Sequence, residues 1–433
     1  MIIQRLSEKK AFCVSERKMT VISTERLRER FEHMKGITDP GRGVTRLAFT
    51  DSDWRGRAYI ISLMEEAGLT VREDAFGNVI GRRAGLRDDL PAVAFGSHGD
   101  SVPEGGNFDG LAGVLSAAEV MQSLREEGFQ NERPLEMMLF MCEESSRFGA
   151  ATLGSRAMCG ELTLSDLFKY HDREGRALYD VLKKRGLDPD HVEDAYYKEP
   201  PAAFFEVHIE QGRVLEHEKK QLGVVTGIAA PTRLRISIRG TAAHSGGTPM
   251  HLRHDGLAAA AEIILTAEWE GLRHTDPMVV ATVSTIRNKP NVINVVPGEV
   301  TLGVDVRSIS REAKHEAAEH IMSTAKEVGR KRGVGCECTV VSDEEPAPIR
   351  KSVIDFLGRC CMEEGRDWMR LPSGAGHDSM HWAMRCPTGM IFLPCKNGVS
   401  HNFEESAEIE DVAAAAGVLE RAVREASRGD FRL

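Results

Sequence analysis

Pro91-Ala-Val-Ala-Phe-Gly-Ser97 runs straight into His98-Gly-Asp100 and then into a glycine-rich loop, Gly105-Gly106-Asn107-Phe108-Asp109. The first seven residues form a short apolar run of the length expected for a buried strand. Helical spacing follows the loop: across 110–127, Leu111, Val114, Leu115, Ala118, Met121 and Leu124 share one face of an amphipathic helix, and Gly128 ends it. A strand feeding a helix in this way is the repeating unit of an α/β layer structure. Polar side chains placed just past the strand fall on the rim where such sheets bind ligands.

The same texture extends outward on both sides. Apolar runs at 135–141, 203–207 and 390–393 read as further buried strands, and 409–427 as a closing helix. An early helix is expected from Ser23-Thr24, with Leu27, Phe31 and Met34 on one face. Residues 20–219 and 343–433 together therefore predict an α/β domain with a mainly parallel sheet. Between them the pattern changes, after the charged stretch Glu216-His-Glu-Lys-Lys220. Residues 233–240 alternate with Leu234, Ile236 and Ile238 on one face, 255–272 is an alanine-rich helix, and 278–287 and 299–307 are strands. A helix over 311–328 and a strand over 334–341 complete a β-α-β-β-α-β order, the ferredoxin-like arrangement. This predicts an inserted domain over 220–342, with hinges near 219 and 342.

A chain of 433 residues exceeds what one core accommodates, in keeping with two domains. The formal net charge of -10 and sequence pI of about 5.9 argue against nucleic acid and against an anionic membrane surface as partners. No apolar run approaches the length of a membrane span, and Met1–Lys18 carries charges throughout with no signal-peptide core. Nine scattered cysteines read as reduced thiols, so a cytoplasmic location is expected. Met19 is the expected natural start, or else the first 18 residues are loose.

Four segments carry metal-binding side chains just past the ends of apolar strands: His98 with Asp100 and Asp109, Glu143-Glu144, His208, and His401. Two cations close together need a bridging carboxylate and N/O donors on each side. Asp109, at the mouth of the helix, is placed to bridge. His98, His208, Glu144 and His401 would share two divalent ions. Asp100, two residues after His98, is placed to orient its imidazole. Mixed imidazole and carboxylate donors suit zinc, manganese, cobalt or nickel.

His98-x-Asp100, the loop to Asp109, Glu143-Glu144 with Gly154-Ser155-Arg156, and His208-Ile-Glu-Gln-Gly212 resemble the zinc-dependent M20 amidohydrolases. The subgroup is that of N-carbamoyl-L-amino acid hydrolases, β-ureidopropionases and allantoate amidohydrolases. The resemblance implies a catalytic α/β domain, an inserted lid that also dimerises, and a homodimer. His98 and His208 would hold one ion, Glu144 and His401 the other, and Asp109 both, with Glu143 as general base. Gln211 would hydrogen-bond the ureido group. His244 would reach the partner subunit's site and stabilise the oxyanion, while Asn294 and Arg307 grip the substrate carboxylate. Gly376 and His377 belong to a substrate-contacting loop, Gly374-Ala-Gly-His377.

The implied substrate is an N-carbamoyl-L-amino acid, cleaved to amino acid, carbon dioxide and ammonia. Allantoate or another ureido acid is the nearer alternative, an N-acyl amino acid or dipeptide a farther one, and a non-catalytic binder of small acids the farthest. Two departures bear on pocket size. Ser245-Gly-Gly-Thr248 stands where Ala-Gly-Thr-Thr is expected, and Gly99 fills a slot often taken by a larger side chain.

Overall fold

The computed structural model describes residues 22–433, so the expectation for Met19 and the first 18 residues lies outside it. The first helix, Thr24–Lys35, starts where the cap predicts: the Ser23 hydroxyl accepts the Arg26 N–H at 3.2 Å. Leu27, Phe31 and Met34 are buried.

A nine-stranded sheet forms the larger domain. Its centre is four parallel strands in the order Leu135–Phe140, Val93–His98, Ala203–Ile209 and Thr388–Leu393. All four are buried along their length, because helices cover both faces, and this is why they read as continuous apolar runs. Antiparallel strands extend the edges, including Val79–Arg83 beside Leu135–Phe140.

The helix Leu111–Glu126 departs from the expected amphipathic pattern. Thirteen of its residues are buried, Glu119 among them. It lies between the sheet and the helices Thr24–Lys35 and Ile409–Ala426, so only its last turn, at Arg125 and Glu126, is exposed. Glu119 is held there by Arg26, at 2.7 Å, and Arg30, at 3.1 Å.

The connection between Leu135–Phe140 and Ala203–Ile209 folds into a small subdomain. Its own apolar core includes Leu153, Leu167, Leu178, Leu182 and Val192. One wall of the site is built from this excursion.

The inserted unit is a four-stranded antiparallel sheet in the order Gly335–Asp343, Ala230–Arg239, Glu299–Ser308, Val279–Lys289. Helices Gly256–Arg273 and Arg311–Arg332 pack against it, capped by Asp255 and Ser310. Strand Leu222–Ile228, which a boundary at 220 assigns to the insert, pairs instead with Thr388–Leu393 and Trp368–Ser373 of the large sheet. The chain changes sheets at Ala229 and returns before Ala347–Pro348, which pairs with Leu222–Ile228. The charged stretch that suggested the earlier boundary ends a short helix, Val214–Glu218, on the surface of the large domain. Among the described residues, no helix is long and apolar enough to cross a membrane.

Candidate active site

The carboxyl ends of the four parallel strands meet on one rim. His98 ends its strand, Glu143 and Glu144 follow Leu135–Phe140 directly, His208 lies in Ala203–Ile209, and His401 is on the loop beyond Thr388–Leu393. Asp109 stands between them. Its Oδ1 lies 3.5 Å from His98 Nε2 and 3.3 Å from His208 Nε2. Its Oδ2 lies 3.2 Å from His401 Nε2, which is 3.3 Å from Glu144 Oε1. Within each trio, His98/Asp109/His208 and Asp109/Glu144/His401, the donor atoms lie within 4.8 Å of one another. One carboxylate thus divides its two oxygens between two sets of imidazole and carboxylate donors. That donor chemistry fits a pair of divalent cations.

Local structure holds these groups in place. His208 Nδ1 is 2.9 Å from the Ile209 carbonyl and His98 Nδ1 is 3.2 Å from the Asp100 carbonyl, which leaves both Nε2 atoms facing Asp109. The Asp100 carboxylate, expected to orient His98, lies farther from that ring, at 3.6 Å. Its two oxygens accept the backbone N–H groups of Glu143 and Glu144 instead, each at 3.1 Å. It therefore fixes the segment carrying both glutamates.

Backbone strain gathers at the same place. Cys142, Gln211 and His401 have φ of 59°, 57° and 56°, values uncommon outside glycine. Gly110, at φ 62°, has no alternative, since a Cβ there would lie 2.3 Å from the His98 ring.

Two supports of Asp109 escaped the sequence reading. Glu405 Oε1 accepts the N–H groups of Phe108 and Asp109, at 2.9 and 3.1 Å. Ser400 Oγ lies 2.9 Å from Asp109 Oδ2 and 3.0 Å from Glu405 Oε2. A third, deeper carboxylate, Glu206, accepts from Ser97 at 2.7 Å and from the Ser379 hydroxyl at 2.5 Å, behind His208.

The electrostatics follow from crowding charge in a buried space. Burial lifts the Glu143 carboxyl well above its usual range, and Glu144, Asp378 and Asp100 add to the rise against the opposing pull of His98. Burial likewise raises Glu144, partly offset by His401. Hydrogen bonds to Asp109 and Glu144 push His401 up to about 11. For His98, burial opposes the charged form, but Glu143, Asp100 and Asp109 outweigh it and raise the ring well above its usual value. Burial also acts against charge on Asp109, yet the three imidazoles hold it well below the carboxylate range. These surroundings favour cations at the ring nitrogens, whether protons or metal ions.

The rim opens into a cleft of about 860 Å³ between the two domains. Gln211, Arg307, Gly376 and His377 all line it. Gln211 Nε2 donates to Asp109 Oδ2 at 2.7 Å, while its buried Oε1 has no hydrogen-bond partner. Arg307 reaches from the insert to the Gly374 carbonyl at 3.1 Å and pairs with Asp305 at 2.7 Å. His377 is buried against His208 with ring centres 4.5 Å apart, and burial draws its pKa well below the usual value.

His244 and Asn294 are not brought to the cleft. They sit on the two arms of an exposed ribbon, Ala243–His244 paired with Val295–Val296. His244 Nδ1 accepts the N–H groups of Gly246 and Gly247, at 3.1 and 3.0 Å. Gly99 does not face the cleft either: a Cβ there would meet Leu139 and Ile60 in the core. Its smallness says nothing about the substrate pocket.

Residues 94–425 match the model of peptidase family M20/M25/M40. The N-carbamoyl-L-amino acid amidohydrolase of Geobacillus stearothermophilus is 39% identical over 95% of this chain and 100% of its own. The ureidoglycolate hydrolase of Oryza sativa subsp. japonica is 36% identical, over 92% of this chain and 84% of that one. The allantoate amidohydrolase of Escherichia coli K12 is 32% identical, over 88% and 92%. A solved structure, an amidase of the hydantoinase/carbamoylase family from Burkholderia multivorans, superposes with a TM-score of 0.89 at 34% identity, covering 94% of this chain and 98% of that one. The shared carboxylate at the sheet's rim, the inserted four-stranded domain and these likenesses along nearly the whole length agree, and the chain belongs to peptidase family M20/M25/M40.

Proposed function

We propose that this protein is an amidohydrolase that cuts the carbamoyl C–N bond of an N-carbamoyl-L-amino acid, releasing the amino acid, carbon dioxide and ammonia. The observation that carries the reading is the division of Asp109 between two donor trios, with the buried Glu143 carboxyl beside them. Two divalent ions (zinc, manganese, cobalt or nickel), held by His98 and His208, by Glu144 and His401, and by Asp109 between them, would supply Lewis-acid polarisation and a more acidic water.

The chain's own groups do the rest. Glu143 takes a proton from the attacking water and later delivers it to the leaving nitrogen, a role suited to a carboxyl whose proton affinity burial has raised. The unpartnered Gln211 Oε1 accepts a ureido N–H. Arg307 and the loop carrying Gly376 and His377 receive the substrate carboxylate, for which a guanidinium fork is well matched. His244 of a second copy donates to the oxyanion. The support for that trans role, and for a homodimer through the insert, is that His244 is exposed and does not line its own cleft, beside the fully exposed Ile293.

Ureidoglycolate and allantoate hydrolases among the relatives favour a second reading, in which another ureido acid is the substrate. Ammonia release from a panel of N-carbamoyl-L-amino acids, β-ureidopropionate, allantoate and ureidoglycolate tests both. The highest kcat/KM is expected on an N-carbamoyl-L-amino acid, and no ammonia from any member would remove the hydrolase assignment.

A further inference from the structure

One guanidinium of the cleft has no acidic group in direct contact among the described residues. Arg233 pairs with Asp305 at 3.2 Å and Glu344 at 3.3 Å, and Arg307 pairs with Asp305. The cleft's acidic groups are also engaged: Glu161 with His381 at 2.8 Å, Glu345 with Arg311 at 2.5 Å, and Asp109 and Glu144 with the imidazoles. Arg156 forms no ion pair among the described residues. Its side-chain hydrogen bond goes to the neutral Tyr170 hydroxyl, at 3.3 Å.

The position of Arg156 is set by the catalytic segment. It lies one turn into the helix Leu153–Cys159, which begins at Thr152, and the Thr152 N–H donates to the Glu143 carbonyl at 2.7 Å. The rise of one helical turn puts the Arg156 backbone roughly 5–6 Å along the axis from that anchor. Thr152 Oγ1 is further tied to His381 Nε2 at 2.8 Å, whose other nitrogen meets Glu161, and Arg156 acts on the Glu161 carboxyl only through space, helping to hold it below its usual range. Arg156 and Tyr170 line the cleft on the wall of the larger domain, and Arg307 lines it from the insert.

We propose that Arg156, with the Tyr170 hydroxyl, is a distal carboxylate-binding subsite, so that the preferred substrate is a ureido compound with two acidic groups. One carboxylate goes to Arg307 and the second, at the end remote from it, to Arg156. A half-buried guanidinium that lines the cleft and has no ion-pair partner among the described residues can take a carboxylate through charge-assisted hydrogen bonds. The inference deepens the amidohydrolase reading and rests on it for the placement of the scissile bond.

The test compares kcat/KM for N-carbamoyl-L-aspartate and N-carbamoyl-L-alanine in the metal-loaded protein. The dicarboxylate is expected to be preferred, and R156Q to lower that preference by roughly 10- to 100-fold, the loss typical of hydrogen bonds to a charged group. R156K, which keeps the charge without the fork, should fall between, and it carries the test alone if R156Q does not fold. A wild-type preference for the alanine compound, or a ratio the variants leave unchanged, overturns the subsite. If neither compound is hydrolysed, the amidohydrolase reading falls. Calorimetric binding of N-carbamoyl-L-aspartate then decides the subsite separately: weaker binding to the variant upholds it and equal binding overturns it.

Discussion

Glu143 and Glu144 are neighbours in sequence to which the proposed reaction gives opposite tasks, and their carboxyls meet different surroundings. Glu144 lies against His401, whereas the Glu143 carboxyl lies 3.8 Å from His98 and receives no hydrogen bond from a described residue. Glu143→Gln keeps the shape and removes the proton acceptor. It is expected to retain both metal sites while kcat falls by about 10²–10⁴-fold or more, the usual worth of general acid–base catalysis. Metal analysis beside steady-state kinetics checks this, and near-normal kcat would free Glu143 of its role. The histidines allow a prediction of opposite character. The acidic groups around His98, His208 and His401 raise the proton affinity of all three rings, so a metal ion competes with protons for them. Metal affinity of the chelator-treated protein should therefore rise with pH, and binding should release protons. Calorimetric titration in two buffers of different ionisation enthalpy reads this directly, and identical heats in both would show that no protons are displaced. The five ligand candidates were legible because four lie at or beyond the ends of apolar strands and Asp109 lies at the mouth of the helix that follows the first of them. Ser400 and Glu405 were not, since nothing in a run such as Ser400-His-Asn-Phe-Glu-Glu405 distinguishes the glutamate that folds back on Asp109 from its exposed neighbour.

Elements were legible to the extent that their burial pattern is one-sided. The insert's strands alternate because one face meets two helices, and their periodicity survives in the sequence. Leu111–Glu126 shows the converse: its apolar stripe was visible, but burial of the remaining face rests on helices from both ends of the chain, which no local pattern records. Leu222–Ile228 was misassigned for a related reason, since a buried apolar strand does not announce which sheet it joins. The buried helix also creates a charge cluster with a measurable cost. Glu119, fully buried, neutralises Arg30, whose side chain is only 6% exposed. Glu119→Ala leaves that guanidinium without its partner, and breaking a buried pair in this way costs on the order of 3–5 kcal/mol. Denaturant unfolding of Glu119→Ala should show that loss. A loss under about 1 kcal/mol, the usual worth of an exposed pair, would mean that water or a local shift compensates Arg30.

At the scale of the molecule, the unresolved match is between a complete donor set in one chain and an exposed His244 on the insert. Within one copy, His244 is exposed and does not line the cleft, with Nδ1 occupied by two backbone N–H groups. The ribbon that bears it also carries Val292 and Ile293, half and fully exposed, an apolar surface at odds with a free solvent-facing tip. If a second copy covers this surface, each site is assembled from two chains, and a mixing experiment exposes the fact. Glu143→Gln and His244→Ala homodimers should each be nearly inactive. A heterodimer of the two places both defects in one site and leaves the other with an intact Glu143 and an intact His244. Random re-association of the two variants would then make about half of the dimers mixed and restore about a quarter of the sites, by the symmetry of a two-fold assembly. Activity recovered to about that level after co-refolding, with none on simple mixing of dimers that do not exchange, places His244 in trans. Failure to recover in a sample shown by mass spectrometry to contain heterodimers means that His244 serves its own chain, through a swing of the insert about Ala229, or does not serve the reaction.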